Sequence, residues 1–301
     1  MRLFLDLTKS GIGAFVLVTG MAGYAMSQPL TIDWSWVHFL TTLAALYFLS
    51  AGSFAINQAQ EIHIDREMPR TQGRPLPTNQ VSELQAWTLG VGFVLIGALA
   101  AILVNQSVFW LGIGTVFLYN VPYTLWWKRH WSFGAVPGAL PGATPVLIGY
   151  AAHQPNIFQP EPVYFFLLMY LWQMPHFWSL AIRFKEDYKL GGIPVLPVKV
   201  GTERTVFHMA LYTFTYVATA AAAPFFTSAG WAYVILVVPL GAIVIWQFMK
   251  YHRSIIGNHE KSRWLPFFLW TNFSILVFLA APVVDRWAQH AFLMYRSGVV
   301  E

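Results

Sequence analysis

Long apolar stretches broken by short polar ones run through the chain, and their lengths set the first expectation. A helix needs about 20 mostly apolar residues to cross a bilayer. Nine segments meet that template: 11–27, 37–57, 86–104, 107–127, 134–152, 162–182, 206–226, 230–249 and 265–284. The connections alternate in character. Those at 28–36, 105–106, 153–161 and 227–229 are short and hold no Lys or Arg, whereas 58–85, 128–133, 183–205 and 250–264 are longer or basic. Of the 18 Lys and Arg, all but Arg286 and Arg296 fall in the N-terminal tail or in that second group of loops. Positive charge concentrates on the cytoplasmic side of membrane proteins. The pattern therefore predicts an all-α polytopic bundle of nine transmembrane helices, forming one transmembrane domain over 1–301. Its N-terminus lies in the cytoplasm, its C-terminus outside, and its place is the cell's inner (plasma) membrane among lipid.

Composition strengthens this reading. The 301 residues are 56% hydrophobic and only 10% charged, against about 25% charged in soluble domains, so a soluble surface is excluded. The 14 Trp, 13 Tyr and 24 Phe suit a bilayer, where aromatic rings favour the interface. Cysteine is absent, which excludes disulfides, thiolate metal sites and a cysteine nucleophile. The net charge of +5 carries no nucleic-acid signature, and no nucleic-acid partner is expected. Met1-Arg2-Leu3 and Lys9 before an apolar run resemble the start of a signal peptide, but no small-residue cleavage site follows, and the segment is read as the first span.

Polar chemistry is dense only in the two long basic loops. After the second span the chain reads NQAQEIHIDREMPRTQGRP, Asn57 to Pro75. Asn57, Glu61 and Asp65 are each four residues apart, which stacks them on one helix face. Three oxygen side chains aligned at a membrane boundary are costly without a partner, because like carboxylates repel and buried charge is expensive. A hard divalent cation such as Mg2+ relieves that cost, taking carboxylate and carbonyl oxygens together with substrate phosphate. Arg66, Arg70 and Arg74 follow, and their forked donors suit phosphate oxygens. A solvated loop of paired Glu and Arg is the competing explanation, but the regular spacing of the whole set at a span end favours a metal–diphosphate site. Glu67 and His63 fall on other faces.

A second loop repeats the theme. Glu186 and Asp187 follow the sixth span among Arg183, Lys185, Lys189 and Lys199, with Lys185 a further diphosphate candidate. Gly191-Gly192 and the stretch from Pro194 to Pro197 should end that helix and turn the loop. At the end of the fourth span, Tyr119 and Tyr123 lie one turn apart, and Lys128-Arg129 reach the interface. Interfacial anchoring is the default explanation, and a diphosphate-binding Lys128 is the functional one. His176 follows Pro175 in apolar surroundings. Hydrogen-bonded packing is the ordinary role of such a histidine, and contact with a planar metal-porphyrin is the sharper one.

These residues resemble the UbiA superfamily of intramembrane prenyltransferases. Asn57, Glu61 and Asp65 match its first acidic motif. Met68 to Pro77 (MPRTQGRPLP), Pro175 to Trp178 (PHFW), Asp187-Tyr188, Gly192 to Pro197 (GIPVLP) and Tyr123 to Arg129 (YTLWWKR) resemble the heme O synthase branch. The likeness runs from about residue 10 to 285 and includes the nine-helix count. It departs at Val195, where that branch has methionine, at Glu61, where many members have aspartate, and at Arg183, where quinone-prenylating relatives carry an acidic residue. The resemblance implies a UbiA-like fold and a Mg2+-dependent transfer of farnesyl from farnesyl diphosphate to protoheme (heme B), giving heme O. It implies an active site facing the cytoplasm, with heme A synthase or terminal oxidase assembly factors as protein partners.

The roles that follow place Mg2+ on Asn57, Glu61, Asp65 and Asp187. Arg66, Arg70, Arg74, Lys128 and Lys185 would hold the diphosphate, Tyr119 and Tyr123 would stabilise an allylic cation, and His176 would meet the heme. Rival readings are a UbiA-type enzyme with a quinone precursor or chlorophyll-like acceptor, a heme chaperone, or a transporter. A transporter would place charges near mid-membrane, whereas nearly all the acidic residues here lie at span ends.

Overall fold

The computed structural model describes residues 2–31, 33–257 and 263–296. Among them the regular structure is helical: α1 (Arg2–Leu7), α2 (Ser10–Ser27), α3 (Trp36–Gln60), α4 (Ile62–Glu67), α5 (Glu83–Val104), α6 (Gln106–His130), α7 (Ala135–Ala151), α8 (Pro160–Arg183), α9 (Lys185–Leu190), α10 (Leu196–Val200), α11 (Thr202–Ala221), α12 (Trp231–Ile256) and α13 (Trp264–Arg296). Each of the nine apolar segments is helical over most of its length. Six of the helices, α2, α3, α5, α6, α12 and α13, are long and apolar enough to cross a membrane. The remaining three are shorter or carry more polar side chains. α7 has 17 residues, and α8 and α11 include Gln173, His176, Arg204 and His208.

Local chemistry sets where the helices start. The Ser82 hydroxyl accepts from the Gln85 backbone N–H at 3.1 Å while the Gln85 side chain accepts from the Ser82 backbone at 2.9 Å, a capping box that opens α5. Asn105 opens α6 with a simple cap, its side-chain oxygen accepting from the Val108 N–H, and its amide reaches the Ala151 carbonyl at 2.8 Å, tying α6 to the end of α7. Side-chain caps of this kind satisfy N–H groups that the helix itself cannot. Outward faces are apolar: Leu84, Leu95, Leu99 and Leu103 of α5 are exposed, as a lipid-facing helix requires. The protein is a multi-pass membrane protein.

Glycines let helices meet at backbone distance. A Cβ at Gly52 of α3 would lie 2.6 Å from the Gly90 carbonyl oxygen of α5. A Cβ at Gly149 of α7 would collide with the Gly20 carbonyl oxygen of α2, and one at Gly23 with that of Val146. Small residues of this kind allow close packing where lipid supplies no hydrophobic drive between helices. Because backbone meets backbone at Gly149, Gly149→Val cannot be absorbed by a side-chain shift. We expect a loss of about 3 kcal/mol or more, at or above the usual range for overpacking, read as earlier thermal unfolding in detergent. Unchanged unfolding would contradict the tight α2–α7 crossing.

Several helices depart from their expected limits, α12 among them, which ends at Ile256 rather than 249. α6 was expected to end at 127, yet it continues to His130 and widens into a π-helical stretch over Tyr119–Trp127. Pro122 sits inside that stretch. Its ring removes a donor and crowds the preceding turn, and a π-bulge is one way for a helix to accommodate that. α13 runs to Arg296, beyond the expected limit of 284. On it Arg286 donates to the carbonyls of Ala25 and Gln28 at 3.3 and 3.1 Å, and Trp287 donates to Ala25 at 3.0 Å. Those bonds occupy carbonyls that the C-terminal end of α2 leaves unpaired. The start of α2 and the ends of α3, α6 and α8 gather at the other end of the bundle, beneath the loops 61–82 and 184–201, and the candidate site lies there.

Candidate active site

The acidic row is not one unbroken helix. α3 ends at Gln60, Glu61 takes φ −110° and ψ 9°, and α4 begins at Ile62. Helical hydrogen bonds nevertheless bridge the break, from Glu61 N–H to the Asn57 carbonyl at 3.1 Å and from Asp65 N–H to the Glu61 carbonyl at 2.8 Å. The i, i+4 stacking survives, so Asn57, Glu61 and Asp65 line one polar cavity of about 110 Å3. Their exposures are 1%, 2% and 3%, so each needs a partner.

Each has a cationic partner. The Lys9 ammonium donates to Asn57 Oδ1 at 2.6 Å, and the Asn57 amide donates to Thr124 Oγ1 at 3.1 Å. Lys128 Nζ lies 2.5 and 2.7 Å from the two Glu61 oxygens. Arg74 donates to both Asp65 oxygens at 2.9 and 2.7 Å. Burial raises the Glu61 carboxyl pKa, but the Lys128 and Lys9 charges outweigh that effect and hold the group ionised, below its usual value. Enclosure by protein, and after it the Arg74 charge, push the Lys9 amine down to about 7. Arg70, Arg74 and Lys128, with Lys9 only partly charged at neutral pH, therefore face two carboxylates across the cavity, and positive charge is in excess.

The second loop closes over the first. Asp187 Oδ2 accepts the Arg70 backbone N–H at 3.0 Å, and the Arg70 guanidinium donates to Tyr188 Oη at 3.4 Å while lying over the Phe184 and Tyr188 rings. Met68, Tyr188, Ile193 and Val195 form a buried cluster between the loops. Gly192, at φ +67°, makes the turn expected of the glycine pair in a conformation few other residues adopt.

Not every candidate reaches the cavity. Asn57, Glu61, Asp65, Arg70, Arg74, Lys128 and Tyr123 line it, joined by Tyr119 and Tyr188. Arg66 instead donates to Asn79 at 3.3 Å, and Lys185 and Asp187 are not among the lining residues. Among the described residues no three His, Cys, Asp or Glu side chains converge as a metal cluster. Lys9, Thr71 and Thr124 are the contributors that sequence reasoning missed. Lys9 was visible as a cation placed directly before a span, on the side of the basic loops. The two threonines carry no signal of their own.

Beyond the polar cavity lies an apolar one of about 470 Å3, lined by residues that include Phe15, Leu49, Gly112, Trp172, His176 and Asn272. Tyr119 and Tyr123 line both cavities, and their rings are 5.6 Å apart at the junction. Both come from the π-helical stretch, whose Asn120 amide donates to Ser53 at 3.1 Å and whose Asn120 carbonyl accepts from Gln60 at 3.0 Å. Asn120 of this stretch thus ties α6 to α3 near the seam between the two cavities.

A helical membrane bundle with this two-chambered site defines a class, and the comparisons agree: the chain belongs to the UbiA prenyltransferase family, whose profile matches residues 16–273. It is 50% identical over 287 residues to the protoheme IX farnesyltransferase of Bdellovibrio bacteriovorus, covering 95% of this chain and 97% of that protein. Its fold is shared with digeranylgeranylglyceryl phosphate synthase (TM-score 0.73, 18% identity, 94% of this chain and 98% of that one). It is shared too with a UbiA homolog from Archaeoglobus fulgidus bound to GPP and Mg2+ (TM-score 0.66, 19% identity, 93% and 99%).

Proposed function

We propose that this chain transfers a farnesyl group from farnesyl diphosphate to a vinyl group of heme B, giving heme O and diphosphate. The observation that carries the reading is the joining of a cation-rich polar cavity to a larger apolar one through Tyr119 and Tyr123. A substrate with a multiply charged head and a long hydrocarbon tail needs both chambers at once. The 50%-identical relative named protoheme IX farnesyltransferase supports heme as acceptor.

The oxygen donors of Asn57, Glu61 and Asp65 fit Mg2+, which takes hard oxygen ligands and completes its shell with substrate phosphate. Lys9, Lys128 and Arg74 already hold these donors, so a bare cation would enter a cavity of like charge. The diphosphate supplies the negative charge that draws those cations away and leaves the oxygens free, which makes metal and diphosphate enter together. Once bound, Mg2+ would neutralise charge building on the leaving diphosphate. Asp187 acts one step removed, holding the Arg70 backbone and with it the closed second loop.

The chain's own groups account for the rest. Arg70, Arg74 and Lys128 stabilise the departing diphosphate as the allylic C–O bond breaks and the bonding pair leaves with oxygen. The Tyr119 and Tyr123 ring faces steady the cation that remains. The apolar chamber keeps water from that cation until the vinyl pair attacks and forms the C–C bond. The new cation beside the porphyrin then takes oxygen from water, which releases a proton and leaves a hydroxyalkyl substituent. The Lys and Arg distribution along the chain supports a site opening to the cytoplasm from the inner membrane.

The test uses membranes from cells expressing the protein, incubated with labelled farnesyl diphosphate and either heme B or a quinone precursor. The expected outcome is label in a heme species heavier by one farnesyl and one hydroxyl group. Label in the quinone alone would overturn the acceptor assignment.

A further inference from the structure

His176 and Asn272 line the apolar chamber together, and their hydrogen bonds fix which atoms face which. His176 Nδ1 lies 2.8 Å from Asn272 Oδ1, and Asn272 Nδ2 lies 2.6 Å from the Phe268 carbonyl oxygen. A carbonyl oxygen only accepts, so the amide nitrogen must be the atom facing Phe268 and the amide oxygen the atom facing His176. That oxygen has no hydrogen to give, so Nδ1 carries the proton. In the neutral ring, Nε2 then keeps its lone pair. The ring packs against both Trp172 (4.7 Å, 34° between planes) and Phe268 (5.1 Å, 32°), which restricts its orientation.

A neutral imidazole whose far nitrogen is pinned to a carbonyl or carboxylate oxygen is the arrangement that metal-binding histidines adopt. We infer that His176 Nε2 is an axial ligand to the iron of the porphyrin acceptor, and that Asn272 is the positioning residue that sets its tautomer. The inference rests on heme being the acceptor. It adds what holds the porphyrin. Coordination anchors the centre of the macrocycle at His176 and leaves the ring edge, where the vinyl groups are, free to reach Tyr119 and Tyr123 across the same chamber. Apolar walls alone would hold a flat ring without fixing its depth or rotation. One iron–nitrogen bond fixes the depth.

The experiment titrates the full-length protein in lipid nanodiscs with ferric heme and, separately, with iron-free protoporphyrin IX, and records absorption and electron paramagnetic resonance spectra. Wild type is expected to show a nitrogen-ligated heme and a clear preference for the iron-containing ring. His176→Ala should lose the ligand signature and most of that preference, and added imidazole should restore the signature. Asn272→Leu should weaken heme binding by about 10–100-fold, the usual effect of losing such a supporting bond, while Asn272→Asp, which still accepts from Nδ1, keeps the spectrum. Equal wild-type affinity for the two porphyrins overturns the inference without reference to any variant. A His176→Ala spectrum identical to wild type, in protein that still farnesylates heme, overturns the ligation and leaves the function standing. Absence of both heme binding and heme farnesylation in wild type overturns the two together.

Discussion

Lys128→Met should lower stability by about 3 kcal/mol and turnover by about a hundredfold to a thousandfold. Glu61 is 2% exposed, and both of its oxygens rest on the Lys128 ammonium at 2.5 and 2.7 Å. Removing one partner of a buried pair strands the other charge and costs about 3–5 kcal/mol. The low end applies because Lys9 also bears on Glu61. The effect on turnover has a separate origin, since loss of one preorganised group stabilising developing charge costs about 10²–10³ in rate. The double variant Glu61→Gln/Lys128→Met separates the two effects. It removes both charges, so thermal stability should recover while transfer stays lost. Recovery of activity along with stability would mean that the pair only supports the fold.

Asp65→Asn should reduce diphosphate release by a similar factor while leaving the protein folded. The substitution keeps the shape of the side chain and removes its charge. Its partner Arg74 is 28% exposed, against 4% for Asp65, so water can reach the guanidinium once the carboxylate is gone. The cost in stability should stay near 1 kcal/mol, in keeping with a partly exposed pair. Turnover at the wild-type rate, followed as release of labelled diphosphate, would remove Asp65 from the account.

Much of the fold could be read from apolar periodicity, because a spanning helix announces itself through length and composition alone. Its interruptions could not. The break at Glu61 and the π-helical stretch after Tyr119 depend on how α3, α6 and the loops press together, and no local pattern records that pressure. In the site, a spacing of four put Asn57, Glu61 and Asp65 on one wall, since four residues make just over one helical turn. The same geometry explains why Arg66 points elsewhere: it follows Asp65 directly, about 100° around the helix, and pairs with Asn79. Lys9 was read only as a topological charge, because its contact with Asn57 spans 48 positions. Asn272 was invisible for the same reason. A lone asparagine in an apolar run means little until His176, 96 positions away, is seen beside it.

The proposed seating has three aligned oxygen side chains and a ring of cations hold the head of a prenyl diphosphate while its tail enters the apolar chamber. It is tested most directly by diffraction from crystals grown with a non-hydrolysable farnesyl diphosphate analogue and Mn2+ in place of Mg2+, locating the metal by its anomalous signal. The expected result is metal density against Asn57, Glu61 and Asp65, diphosphate against Arg70, Arg74 and Lys128, and the tail passing between Tyr119 and Tyr123. Metal and diphosphate found away from these residues, or a tail lying outside the apolar chamber, would contradict it.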